Sequence, residues 1–300
     1  MVAGSPAAAP VADAYAACLA MARAHYENFP VASWLVPPRM RPHIAAVYAF
    51  ARVADDYADE GLHPIATREH LIEAWRRRLH AAAEGRPVPD GPHPEVFVAL
   101  GETMRACALP VDLFDDLLDA FLQDTRVARY GTWDDVLDYC RRSANPVGRL
   151  VLRIAGVVDP QADAESDAVC TALQLANFWQ DLAIDWGRGR LYVPRDLAER
   201  HGAEIGAFDP AHLTPAWREA LRECRARTRA LFVEGRGVTG RVEGRLRHEL
   251  RLTWLGGMRI LERLDRRSNA AGHERPSLGA ADALVLAGRW VSWSGGREAR

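Results

Sequence analysis

Three features of the sequence predict an all-α fold. Apolar residues recur at helical period along almost the whole chain, and none of the well-defined runs alternates with the period of two expected of strands. Pro and Gly mark short breaks between the periodic segments, as turns between sequential helices require. The chain has 300 residues, 49% hydrophobic and 26% charged, which is enough for one large core, and no linker divides it. Short connections favour sequential antiparallel helices packed as a single-domain bundle around a central cavity.

The elements follow from that pattern. Residues 1–10 carry no periodic signal and are expected to be disordered. A first helix is predicted over Val11–Tyr26, a turn over Val31–Leu35, and a break at Pro37-Pro38. Arg41-Pro42 opens the next helix, with Pro near its start where a missing N–H is tolerated, and Gly61 stops it. Further helices are predicted at Thr67–Ala83, Pro94–Cys107, Val111–Ala128, Trp133–Ala155 and Ala162–Trp186. A short one starts at Val193-Pro194, and the pattern resumes at Pro215–Val233, Arg241–Arg266 and Leu278–Val291.

Composition removes several function classes. A formal charge of −2 gives no global field for nucleic acid. The five cysteines are scattered without zinc spacing and read as reduced core thiols. Every basic residue is arginine, which excludes Schiff-base lysine chemistry and a P-loop. No signal-like start and no apolar run of about 20 residues is present, so a cytoplasmic location is expected. Arg76-Arg77-Arg78 reads as a solvated helix face, and no strongly amphipathic cationic helix stands out.

Two stretches carry the chemistry. In Tyr48–Glu60, Asp55 and Asp59 are i,i+4 neighbours on a helix, with Arg52 three residues before Asp55. Their neighbours are apolar, so the carboxylates are expected to face a cavity and to need a cation. In Gln174–Trp186, Asn177, Asp181 and Asp185 recur at i, i+4 and i+8 and line one helix face, again among apolar residues. Buried carboxylates must neutralise, pair or bind metal. Hard oxygen donors suit magnesium, which keeps positions open for water and substrate phosphate. A diphosphate held there, with Arg52, Arg188 and Arg190 on its remaining oxygens, becomes a good leaving group. The aromatics nearby (Phe29, Trp34, Tyr48, Phe50, Tyr139, Phe178, Trp179) are candidates to stabilise a carbocation, each otherwise a core residue.

These residues resemble the squalene and phytoene synthases. Arg52-Val-Ala-Asp55-Asp56-Tyr-Ala-Asp59-Glu60 is similar to that family's first aspartate motif, and Gln174 to Asp185 with Gly189-Arg190-Leu-Tyr192-Val-Pro194 to its second. Tyr139-Cys-Arg-Arg-Ser-Ala-Asn-Pro-Val147-Gly148 resembles the segment between them, and the likeness runs from roughly His25 to Arg275. It implies an isoprenoid-synthase bundle with Mg²⁺ as cofactor, held by Asp55, Asp59, Asn177, Asp181 and Asp185. It further implies Arg52, Arg190 and Arg275 on the diphosphate, Tyr139 at the reaction centre, and His25, Phe29, Gln174 and Tyr192 against substrate. His25–Ser33 and Asn177–Trp186 resemble the bacterial hydroxysqualene synthases of hopanoid pathways. Those ionise presqualene diphosphate, rearrange the cation and let water capture it, without a reductant. A handoff from a presqualene diphosphate synthase and peripheral membrane contact are implied partners.

Two departures matter. Ile184 replaces the Glu of the family's common Asp-x-x-Glu-Asp, and Gly256-Gly257 lies where many relatives have a tyrosine, which is expected to open space for water. The alternatives are a synthase condensing two prenyl diphosphates into presqualene diphosphate, squalene or phytoene, and a non-catalytic helical interaction module. A di-iron carboxylate bundle needs two Glu-x-x-His pairs, and only Glu60-Gly-Leu-His63, broken by glycine, is present.

Overall fold

The computed structural model describes residues 8–24, 35–59, 63–267 and 275–293. Among them no strand forms; one isolated parallel bridge joins Arg129 to Leu191. The helices are α1 (Ala8–Ala24), α2 (Arg41–Asp59), α3 (Ile65–Ala83), α4 (Pro94–Cys107), α5 (Asp112–Asp124), α6 (Trp133–Ser143), α7 (Asn145–Ile154), α8 (Pro160–Gln180), α9 (Leu182–Gly187), α10 (Arg195–Arg200), α11 (Pro215–Gly235), α12 (Gly244–Arg267) and α13 (Ala280–Val291). No helix of the described residues is long and apolar enough to cross a membrane.

The order matches the sequence expectation, with three differences. The first helix begins at Ala8, inside the stretch expected to lack structure; residues 1–7 lie outside the described part. The segment predicted as one helix from Trp133 to Ala155 is two, α6 and α7, joined at Ala144. Pro146 accounts for the break, because proline suits the first turn of a helix but not an interior. Residues Ala162–Trp186 likewise divide at Asp181, whose φ of −96° and ψ of 11° end α8 and begin α9.

The chain forms two compact units. One comprises the described residues to Arg126, with Arg149–Val158 and Gly244–Glu249. Its centre is Phe50 on α2, stacked on Trp75 of α3 at 5.8 Å and meeting Phe97 of α4 and Phe114 of α5 edge-on. Trp75 donates its indole N–H to the Phe50 carbonyl, so the buried tryptophan leaves no polar atom unmet. Phe50 is fully buried, with Trp75, Phe97 and Phe114 packed around its ring, and it serves as core. Arg78 is buried too, its guanidinium 4.2 Å from the Phe97 ring centroid and bonded to the Pro92 carbonyl. Arg76 grips Asp115 at 2.9 Å and Asp119 at 2.6 Å. Of the expected solvated arginine face, Arg77 is exposed, while Arg76 and Arg78 are ties to α5 and to the 91–92 loop.

The other unit comprises residues Val127–Gly148, Asp159–Glu243 and the described part from Leu250 onward. Here α8 packs against α11 and α6. Trp179 on α8 donates to Thr228 Oγ1 on α11 at 2.8 Å, and that hydroxyl donates to the Cys224 carbonyl. Trp179 is therefore core as well. Near the crossing, Gly257 of α12 lies so close to α11 that an added Cβ would stand 2.3 Å from Phe232 Cζ and 3.0 Å from Leu173 Cδ2. Phe232 is fully buried. The space expected for a water at Gly257 is filled by the Phe232 ring. All five cysteines are free. Burial pushes the Cys18 thiol up to about 12 and the Cys170 thiol to about 11, which fits packing and not nucleophilic roles.

Candidate active site

The first acidic motif closes α2. Asp55, Asp56 and Asp59 fall in its last turns, where the helix presents unpaired carbonyls and a partial negative charge, and no basic residue occupies the last turn. Arg52 supplies the counter-charge: its Nη1 lies 3.4 Å from Asp55 and its Nη2 2.5 Å from Asp56. Burial raises the Tyr48 phenol above its ordinary range, with Arg52 pulling the other way. Contrary to expectation, the acids are not buried. The Asp55 side chain is 42% exposed and Asp59 is exposed at the helix end. Alternating faces of α2 explain this, since Val53, Ala54 and Ala58 take the core side.

The second motif runs across the α8–α9 break without losing its spacing. The Asp181 N–H donates to the Asn177 carbonyl at 2.8 Å, and the Asp185 N–H to the Asp181 carbonyl at 2.8 Å. Asn177, Asp181 and Asp185 therefore keep one helical turn between neighbours although α8 ends at Gln180. Asn177 is exposed, and Asp181 and Asp185 are half-buried, so this stripe also faces outward from its helices. Arg275 clamps Asp181 with Nε and Nη2, the latter at 3.1 Å, while Gln180 donates to the Pro276 carbonyl. The arginine expected on a diphosphate is held here by a carboxylate. Ile184 stands 45% exposed in the same turn.

After α9, Gly189 at φ +83° reverses the chain, a conformation that glycine adopts without a Cβ penalty. The Leu191 N–H then donates to the Ala128 carbonyl and the Arg195 N–H to that of Tyr130. The Arg190 N–H returns to the Asp185 carbonyl at 2.8 Å, tying the expected phosphate-binding arginine to the acidic turn. This pairing places Tyr192 on Phe178, 3.7 Å between centroids and 2° from parallel. Tyr130 stacks on Tyr192 at 5.6 Å, and Tyr139 lies 5.7 Å from Tyr130 and 6.1 Å from Phe178. All four rings are buried. Such a cluster offers ring faces to a cation, about 2 kcal/mol each when desolvated. Tyr130 was not a candidate from the sequence, since no local motif marks it; the Arg129–Leu191 bridge brings it beside Tyr192. Gln174 is half-buried on α8. His25, Phe29 and Trp34 lie outside the described residues.

The donor set suits a hard cation. Each motif by itself, Asp55 and Asp59 on α2 and Asn177, Asp181 and Asp185 across α8 and α9, presents oxygens one turn apart, the chemistry magnesium prefers. Among the described residues no three His, Cys, Asp or Glu side chains converge as a preformed metal cluster.

The family model for squalene/phytoene synthase matches residues 22–282. The chain belongs to that family. Of the curated squalene/phytoene synthases it resembles, the hydroxysqualene synthase of Zymomonas mobilis is 36% identical over 236 residues, covering 76% of this chain and 75% of the relative. The phytoene synthase of Thermus thermophilus is 32% identical, covering 76% and 75%. The crystal structure of squalene synthase HpnC from Alicyclobacillus acidocaldarius superposes with a TM-score of 0.80 at 40% identity, covering 86% of this chain and 95% of that one. The squalene/phytoene synthase helices are thus those seen here, and the chain is an enzyme of a family that acts on prenyl diphosphates.

Proposed function

We propose that the protein is a hydroxysqualene synthase, converting presqualene diphosphate and water to hydroxysqualene and diphosphate. The observation that carries the product choice is the likeness to hydroxysqualene synthases of three organisms at 35–36% identity. The two motifs support the chemistry: outward-facing carboxylates one turn apart, each set already met by an arginine. Because the family model spans residues in both compact units, we read them as one functional domain.

In this reading Asp55, Asp59, Asn177, Asp181 and Asp185 hold magnesium, which supplies charge neutralisation on the departing diphosphate. Arg52, Arg190 and Arg275 bind the remaining phosphate oxygens. The C–O bond breaks with its electron pair leaving on diphosphate. The cyclopropylcarbinyl cation rearranges beside Tyr139, Phe178 and Tyr192, with His25, Phe29 and Gln174 against the chain of the substrate. Water adds to the product cation and loses a proton, so no hydride donor is consumed. Since Phe232 fills the space beside Gly257, the water is drawn from elsewhere in the site.

Condensation of two prenyl diphosphates is the second reading, favoured by the phytoene synthase relatives. Purified protein with magnesium and no NADPH separates the two. Diphosphate released from presqualene diphosphate but not from farnesyl or geranylgeranyl diphosphate supports the proposal; release from either of the latter supports condensation.

A further inference from the structure

A short loop between α5 and α6 reaches the second acidic motif from outside it. Its backbone runs beside the stretch that follows α9: the Leu191 N–H donates to the Ala128 carbonyl at 3.0 Å, the Arg195 N–H to that of Tyr130 at 3.1 Å and the Asp196 N–H to that of Gly131 at 3.0 Å. The Arg129 side chain adds a different contact. The residue is exposed, yet its Nη1 donates to the Ala128 carbonyl at 2.9 Å and to the Gly189 carbonyl, and its guanidinium lies 4.9 Å from the Trp186 ring centroid. Among the described residues it pairs with no carboxylate; burial lowers its pKa and no neighbouring acid raises it. An exposed arginine without an acid ordinarily extends into water. This one closes over a turn.

That turn begins at Asp185 and ends at Arg190. The Gly189 N–H donates to the Trp186 carbonyl at 2.9 Å and the Arg190 N–H to the Asp185 carbonyl at 2.8 Å. Beside Gly189 there is open space, since an added Cβ would meet nothing within 4 Å. Trp186 is braced by Phe208, 4.9 Å between centroids, Phe208 by Trp217 at 4.6 Å, and the Trp217 indole donates to the Glu204 carbonyl at 3.2 Å. Arg129 therefore grips the turn at two points, the ring next to Asp185 and the carbonyl next to Arg190. We propose that Arg129 is a positioning residue that holds Asp185 and Arg190 in register for magnesium and diphosphate. The role rests on the metal–diphosphate reading of the second motif and not on which product is made. Because the backbone bonds hold the loop without the side chain, the guanidinium acts on the turn and not on the fold. Its charge works in the same direction, since a cation beside Arg190 adds attraction for a diphosphate.

Calorimetry of magnesium with pyrophosphate on the full chain tests it, together with amide hydrogen exchange of the metal-free protein over residues 186–191. Arg129→Ala should bind magnesium with pyrophosphate about 10–100-fold more weakly, the usual effect of removing a group that orients metal ligands. Its 186–191 amides should exchange faster, while the melting midpoint stays at the wild-type value. Arg129→Lys keeps a donor for the Gly189 carbonyl and a cation for the Trp186 ring, and should recover most of the affinity. The proposal is overturned if Arg129→Ala binds like wild type. It is equally overturned if the loss of affinity comes with a lowered midpoint and lysine does not restore it, which would make Arg129 a prop of the fold. Wild type that fails to bind magnesium with pyrophosphate would overturn the metal–diphosphate reading and this role with it, an outcome distinct from wild type and Arg129→Ala binding equally well.

Discussion

Gly257→Ala probes how α12 sits on α8 and α11. In an unobstructed helix the change would stabilise, since alanine is favoured over glycine by about 0.8–1.0 kcal/mol. Here the new methyl would lie 2.3 Å from Phe232 Cζ and 2.8 Å from Cε1. The ring has no solvent to move into, and the main chain behind it is fixed by a 2.6 Å bond from the Trp254 indole to the Phe232 carbonyl. Overpacking of this kind costs about 1–3 kcal/mol, so the net effect is a loss of up to about 2 kcal/mol and a fall in midpoint of up to roughly 5 °C. Phe232→Leu should be destabilising alone, as core truncations are, yet it should relieve the alanine. The double variant should be less destabilised than the sum of the two by about 1–2 kcal/mol. Denaturant titration of the four proteins measures this. A Gly257→Ala protein more stable than wild type, or strict additivity with Phe232→Leu, would refute the close packing and restore an open space at Gly257.

Three further outcomes follow from the geometry. Asp181→Ala should abolish diphosphate release while the protein melts near the wild-type midpoint, because the side chain is 25% exposed and its partner Arg275, 39% exposed, can turn to solvent; retained turnover would remove Asp181 from the metal site. Arg275→Gln frees Asp181 of an exposed ion pair worth about 0.2–1 kcal/mol, so calorimetry should show magnesium alone binding up to about fivefold tighter and magnesium with pyrophosphate binding more weakly. His43 lies under α1 with Tyr15 Oη at 3.2 Å and Thr103 Oγ1 at 3.1 Å, and burial depresses its pKa despite the opposing pull of Glu102. The unfolded state thus takes up a proton that the folded state resists, and stability is lost as pH falls below about 6.5. Melting curves between pH 7.5 and 5 should show this loss reduced in His43→Gln; an unchanged acid limb would exclude His43 as its source. These pH limits bracket the ordinary histidine range of about 6.5.

Much of the site was legible because its spacing is local. Arg52, Asp55 and Asp59 share one helix, and the i, i+4, i+8 order of Asn177, Asp181 and Asp185 survives in the backbone bonds that cross the α8–α9 break. The break itself has no proline or glycine to announce it. Exposure was misread for a related reason: apolar neighbours show that a helix is amphipathic, but the partners of α2 decide which face is covered. What sequence distance hides was missed altogether. The Phe232 ring against Gly257, the Tyr130–Tyr192 stack and the Arg129 contact with Trp186 each join residues of different elements, and nothing in the local pattern of either partner signals the other. Arg78 makes the same point, since a run of three arginines reads as solvated until Phe97 and the Pro92 carbonyl are seen beneath one of them.

The most direct test is the product formed from presqualene diphosphate in heavy-oxygen water, with magnesium and without NADPH. The proposed function predicts a triterpene alcohol whose hydroxyl carries the solvent's heavy oxygen. A hydrocarbon product, or an alcohol with unlabelled oxygen, would contradict capture of the cation by water.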